Sequence, residues 1–207
     1  MSSISKIARN KLTNPVTEIE TTFGDLWQDK RCVLIFFRRW GWLYCRLSAR
    51  EISAIQPLLK ENNVRLIGVG FEPFGLEMFM KLKYFDGDVF IDEGRKSYNA
   101  LDFKRMSFVD AIPALVSSAT RAAKATARAL GLSSDMVGDK FQNGGCLVVE
   151  KGGGNSPLLH FVQNGPADRV SNVEVLKALG IDGEVPPTAP IVEVVEPHFN
   201  ENQVTWF

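Results

Sequence analysis

Three cysteines and two histidines carry most of the chemistry open to the side chains of this 207-residue chain. Cys45 stands apart among them. It follows an apolar run and a turn and opens a helical pattern, which places it in the first turn of a helix entered from a strand. There, unpaired backbone N–H groups and the positive end of the helix dipole lie near the sulfur and favour the thiolate. A free thiol titrates near ~8.5, and such settings bring it down to roughly 3.5–7.5, enough to make the nucleophile a major species at neutral pH. Arg38, Arg39 and Arg46 lie close in sequence and add positive charge. Cys45 is therefore the candidate nucleophile, expected to be at least partly open to solvent. The bland alternative is a small, buried, unreactive side chain. Cys32 and Cys146 each begin an apolar run and read as inert core residues. With only His160 and His198 besides, no cysteine pair has zinc-ligand spacing, and an odd cysteine count leaves one thiol free under any disulfide scheme.

The elements that must position Cys45 are legible around it. Residues 32–37 (CVLIFF) form a run fit for a strand buried on both faces, and Arg38-Arg39-Trp40-Gly41 turns the chain. Ile52, Ile55 and Leu59 continue an apolar stripe from Cys45, with Pro57 expected to kink or end that helix. A strand over 64–69, a short helix with Leu76, Phe79, Met80 and Leu82, a strand over 89–92 and a helix over 96–101 follow. Strands alternating with helices predict parallel pairing with right-handed crossovers. Residues 117–130 (SSATRAAKATARAL) read as an inserted Ala-rich helix, with Arg121, Lys124 and Arg128 on a solvated face or, alternatively, forming an anion or partner patch. Strands over 146–150 and 158–163, joined through Gly152-Gly153-Gly154, predict an antiparallel hairpin, and 173–179 a last helix stopped by Gly180. Because that glycine cluster turns a hairpin and precedes no helix, it is no dinucleotide fingerprint.

This order is that of a thioredoxin-like α/β fold: a central mixed sheet, flanking helices and one inserted helix. Its strand beginning at Cys146 is expected to line the site, setting Gly144 and Gly145 opposite Cys45, where missing Cβ atoms permit close approach. Three parts are expected: a 1–21 N-terminal extension, a 22–181 domain and a 182–207 tail punctuated by Pro186, Pro187, Pro190 and Pro197. The tail is expected to be extended or partly disordered, with 204–207 docking on an apolar surface.

Lys+Arg and Asp+Glu both total 24, which gives no electrostatic reason for a nucleic-acid or membrane-surface partner. A content of 45% hydrophobic and 23% charged residues is that of an ordinary globular core. No apolar run approaches the roughly 20 residues that span a bilayer, and the first residues lack a signal-peptide core, so a cytoplasmic location is the expectation. Lys6, Arg9 and Lys11, with no acidic residue before Glu18, leave an organelle-targeting segment as the alternative.

The segment RRWGWLYCR (38–46) resembles the active-site stretch of the prostamide/prostaglandin F synthase and peroxiredoxin-like family. LIGVGFEPFGLEMF (66–79), FDGDVFIDEGRKSYNALDFKR (85–105), GDKFQNGGCLVVEKGG (138–153) and LLHFVQNGPAD (158–168) extend the resemblance in order from about 22 to 181. The resemblance implies a cytosolic thiol-dependent oxidoreductase acting on a peroxide or lipid endoperoxide. It implies an external thiol or thioredoxin-type reductant as partner and NADPH as ultimate electron source. It also implies a site built from Cys45 and lined by Arg38, Arg39, Gly41, Trp42, Tyr44, Arg46, Gly144 and Gly145.

One departure limits the transfer. The family carries C-x-x-C here, whereas this chain has Trp42 in the first position and only Cys45 in the second. No disulfide can close between them. Cys32 lies at the far end of a strand about 20 Å long, beyond the ~7 Å that a disulfide spans, which leaves Cys146 as the internal candidate. Two readings follow. In one, Cys45 runs a single-thiol cycle through a sulfenic acid, as the T-x-x-C arrangement of peroxiredoxins suggests, although their Pro and Thr residues are absent. In the other, a redox-degenerate domain uses Trp40, Trp42 and Tyr44 to bind a ligand or protein. Trp42 either walls off the thiol or offers apolar contact to a lipid-like substrate.

Overall fold

Cys32 to Phe36 are consecutively buried, and the computed structural model places them in the middle of a seven-stranded mixed sheet. The structure describes residues 3–105, 117–134, 138–139, 141–165 and 167–191. The strands are β1 Lys11–Thr13, β2 Glu20–Thr22, β3 Arg31–Phe36, β4 Val64–Gly70, β5 Asp88–Ile91, β6 Gly145–Val149 and β7 Leu159–Val162. Their order is β2-β1-β5-β4-β3-β6-β7. β3, β4 and β5 pair in parallel, while β6 runs antiparallel to β3 and β7 antiparallel to β6.

A strand buried on both faces sends alternate side chains into two cores. From β3, Val33 and Ile35 join Cys45, Leu47, Ile52 and Leu59 on one face. Cys32, Leu34 and Phe36 join Phe23, Trp27, Tyr98 and Phe103 on the other. The first face is covered by α3 Leu43–Ser53, α4 Gln56–Glu61, α7 Ser118–Ala129 and α8 Asn172–Leu179. The second is covered by α1 Ser3–Ile7, α2 Phe23–Leu26 and α6 Lys96–Ala100. α5 Leu76–Lys81 makes the crossover from β4 to β5.

Several expectations are refined. The helix predicted to begin at Cys45 starts two residues earlier, with Trp42 as N-cap, and it breaks after Ser53. Pro57 then sits in the first turn of α4, where its missing N–H costs no hydrogen bond. The 1–21 stretch builds part of the sheet: β1 and β2 form an antiparallel pair that meets β5 through Thr13 and Ile91, and Ile4, Ile7 and Leu12 are buried. The Ala-rich helix lies where expected, with Ala123 and Ala127 buried and Arg121, Lys124 and Arg128 exposed. Ser171 and Glu174 close a capping box at the start of α8, and Gly180 ends it in the left-handed region.

The C-terminal stretch has no helix or strand from Asp182 to Ile191, yet it is anchored. Ile191 N–H donates to the Leu130 carbonyl and Arg50 to that of Ala189. The docking expected of 204–207 lies outside the described residues. No helix among the described residues is long and apolar enough to cross a membrane.

Candidate active site

β3 ends at Phe36, and the Arg38-to-Trp42 turn that follows is pinned at both sides. Trp40 is buried, donates its indole N–H to the Glu72 carbonyl at 2.7 Å, and lies against Gly70. A Cβ on Gly70 would come within 2.2 Å of the indole, so only glycine lets the ring in. Arg38 is 2% exposed, and its Nε donates to the Gln142 carbonyl at 2.6 Å. Trp42 is extended (φ −84°, ψ 134°) and caps α3 without a side-chain hydrogen bond.

Cys45 is therefore the third residue of α3, as its strand–turn–helix context predicts. Cys45 lines one small cavity with Arg38, and the charge of Arg38 and the backbone of Arg39 and Arg38 favour its thiolate. The expected partial exposure is not found: Cys45 is 5% exposed and belongs to the core cluster. Burial raises its thiol above the ordinary value, and the Arg38 charge, the two backbone groups and Arg39 pull the other way without cancelling it. Arg38 is held down to about 10 by burial, opposed by Cys45, and stays charged at neutral pH.

Cys45 lines a cavity of only about 10 Å³, together with Arg38, Ser48, Gly145, Arg169 and Val170. That is room for about one water and too little for an organic substrate. Gly145 lines the same cavity as Cys45. Gly144 is pressed instead against the Phe36 carbonyl, 1.9 Å from where a Cβ would be, and donates to Gln163 at 3.0 Å.

The remaining sequence candidates divide. The Trp42 ring lies 4.1 Å from the Arg38 guanidinium carbon and 5.5 Å from that of Arg39, and meets Tyr44 edge-on. It covers the two arginines rather than standing free in solvent. Tyr44 reaches the Thr120 carbonyl and ties α3 to α7. Gly41 is buried within the turn. Arg46 is a correction: one step round the helix from Cys45, its guanidinium bonds the Trp40 carbonyl and Ser133 and lies over the Tyr84 ring. It braces the turn.

Cys32 lies on the opposite face of the sheet, donates to the Leu26 carbonyl and is pushed by burial up to about 12. Cys146 shares the core cluster of Cys45, but it is fully buried within β6 and its thiol is likewise raised by burial. All three cysteines are free. Ser48, Arg169 and Val170 were not foreseen. Cys45, Ser48 and Glu51 share a three-residue spacing down α3, a signal available in the sequence, whereas Arg169 and Val170 arrive from a loop far along the chain.

A thiol at the head of a helix, after a central parallel strand and opposite an antiparallel one, defines a thioredoxin-like protein of the peroxiredoxin type. The fold is shared with the peroxidoxin BcpB of Mycobacterium tuberculosis (TM-score 0.54, 14% identity, 84% of this chain and 94% of that one). It is shared too with a C48S mutant of Xanthomonas campestris peroxiredoxin Q (TM-score 0.54, 11% identity, 85% and 91%). Residues 51–165 match the AhpC/TSA antioxidant enzyme family. Prostamide/prostaglandin F synthase of Bos taurus is 39% identical over 185 residues, 89% of this chain and 92% of that one. That of Homo sapiens is 37% identical over 187 residues, 90% and 94%. The chain belongs to the AhpC/TSA antioxidant enzyme family, a family of thiol-dependent redox enzymes, and is similar over most of its length to prostamide/prostaglandin F synthases. The matched family segment begins six residues after Cys45.

Proposed function

We propose that this protein reduces an organic hydroperoxide or lipid endoperoxide through Cys45 alone. The observation that carries this reading is that Cys45 sits in the first turn of α3 and lines one cavity with Arg38, so the unpaired N–H groups of a helix start and a guanidinium stand near its thiol. Those groups stabilise a thiolate and the negative charge that grows on oxygen as an O–O bond breaks.

The thiolate attacks one peroxide oxygen, an S–O bond forms and the O–O bond breaks. With a hydroperoxide, Cys45 becomes a sulfenic acid, and the departing alkoxide takes up the proton given by the thiol. With an endoperoxide, one oxygen leaves as a hydroxyl and the other stays on Cys45 as a sulfenate ester. An external thiol then attacks the sulfur, releasing water or the second hydroxyl and leaving a mixed disulfide; a second external thiol frees Cys45. Two external thiols are oxidised to one disulfide for each O–O bond reduced. NADPH, on this reading, supplies electrons upstream of the external thiol. The Gly152–Gly154 cluster lies between β6 and β7 and opens no helix, so it offers no dinucleotide cradle on this chain. Three free thiols suit a reducing compartment such as the cytoplasm.

The wild type is expected to consume cumene hydroperoxide with dithiothreitol as reductant, and Cys45→Ser to abolish that turnover. Turnover that survives Cys45→Ser removes Cys45 from the mechanism. The 5% exposure of Cys45 and the Trp42 cover favour one second reading, a redox-silent binding domain. It predicts no turnover in the wild type.

A further inference from the structure

A second cavity, of about 720 Å³, opens beside the site between the start of α7, Gly165, residues 167–171, the start of α8 and residues Val185 and Thr188 of the C-terminal stretch. Its size is that of an organic ligand pocket, some seventy times the space at Cys45. Ala119, Ala167, Val173 and Val185 give it a mainly small, apolar lining. Two residues, Arg169 and Val170, line both this groove and the cavity that Cys45 lines. These two residues stand between the cavities.

In that wall, Arg169 donates from Nη1 to the Ala167 carbonyl at 3.0 Å and is tied to α3 through Glu51. Arg169 forms a two-pronged ion pair with Glu51, Nε to Oε2 and Nη2 to Oε1, the latter at 2.9 Å. Glu51 stands on the same helix as Cys45 and lines the groove, and its carbonyl also accepts from Asn172, the first residue of α8. Both side chains of the pair are about one-quarter exposed, so the side-chain tie between Arg169 and α3 is partly solvated.

We propose that the groove is the docking site for an organic hydroperoxide with a compact apolar body, and that the Glu51–Arg169 pair is a gate between this site and Cys45. This rests on the single-thiol reading for its chemistry, but the gate can be read without turnover. An apolar body fills the groove, its O–O group faces the Arg169–Val170 wall, and parting of Arg169 from Glu51 joins the two cavities.

The test uses the full chain at mildly alkaline pH, with alkylation of each cysteine followed by peptide mass mapping. The probes are iodoacetamide, which is small, and N-phenylmaleimide, which has an apolar ring. Glu51→Gln, which keeps the backbone acceptor for Asn172, is expected to speed alkylation of Cys45 about fivefold while Cys32 and Cys146 stay unreacted. Ala119→Trp, an exposed position on the groove, is expected to slow N-phenylmaleimide more than iodoacetamide and to lower the ratio of kcat/KM for cumene hydroperoxide over hydrogen peroxide. An unchanged Cys45 rate in Glu51→Gln overturns the gate, as does acceleration at all three cysteines. Equal effects of Ala119→Trp on both reagents overturn the groove. If the gate opens and no peroxide is consumed, the single-thiol reading fails and the gate stands.

Discussion

At the scale of single residues, Trp42 stands three positions before Cys45, where the resemblance of RRWGWLYCR implies a first cysteine. Its ring lies over Arg38 and Arg39. Trp42→Cys is expected to raise peroxide turnover with a thioredoxin-type reductant by about a hundredfold. An intramolecular thiol captures the oxidised sulfur at an effective concentration that no external thiol matches. The same change removes the stack on Arg38 and should lower stability by about 1 kcal/mol. Steady-state turnover and urea unfolding measure the two effects, and unchanged turnover would mean that the Trp42 position has no part in the cycle. The place of Cys45 was legible because strand, turn and helix are contiguous. Its burial was not, because Gly145, Arg169 and Val170 close over it from more than ninety residues away in sequence. Arg46 was misread for a local reason: adjacent residues on a helix point about 100° apart, so sequence proximity to a thiol does not bring charge to it.

At the scale of elements, the turn after β3 matters more than either of its flanks. Trp40 fits only because β4 ends in glycine. Gly70→Ala is expected to push the indole off its hydrogen bond to Glu72, to destabilise by about 1–3 kcal/mol and to lower Cys45 reactivity by shifting residues 38–42. Thermal melting and alkylation rates check this; a variant as stable and reactive as the wild type would show that the turn is held elsewhere. Every central strand and the helices of the two crossovers announced themselves through apolar runs and stripes. The β1–β2 pair did not, because Lys11–Thr13 and Glu20–Thr22 are three residues each and become strands only beside β5. The break between α3 and α4 fell before Pro57 rather than at it, since proline in a first turn begins a helix as readily as it ends one.

For the whole molecule, three buried thiols set an alkaline limit. Each is raised by burial in the folded state, Cys32 to about 12. Below the unfolded value near ~8.5 both states are protonated and stability is unaffected. Above it the unfolded chain loses its protons first, so stability falls by up to about 1.4 kcal/mol per pH unit for each thiol until the folded value is reached. Tyr98, also raised well above its ordinary value, adds to the fall above pH ~10. Urea midpoints are expected to drop steeply between neutral and strongly alkaline pH, and less steeply in Cys32→Ala; a flat profile would contradict the burial of these groups.

The strand order has a consequence for how the chain is made. β3 is flanked by β4, which follows soon after it, and by β6, which lies roughly a hundred residues later. At roughly 5–20 residues per second a ribosome needs on the order of ten seconds to deliver β6. Throughout that interval β3, buried from Cys32 to Phe36 in the finished fold, presents an open edge, a template for pairing with another nascent chain. Yield in cells should therefore depend on translation speed and on chaperones that hold unpaired strands, even where the finished fold is stable.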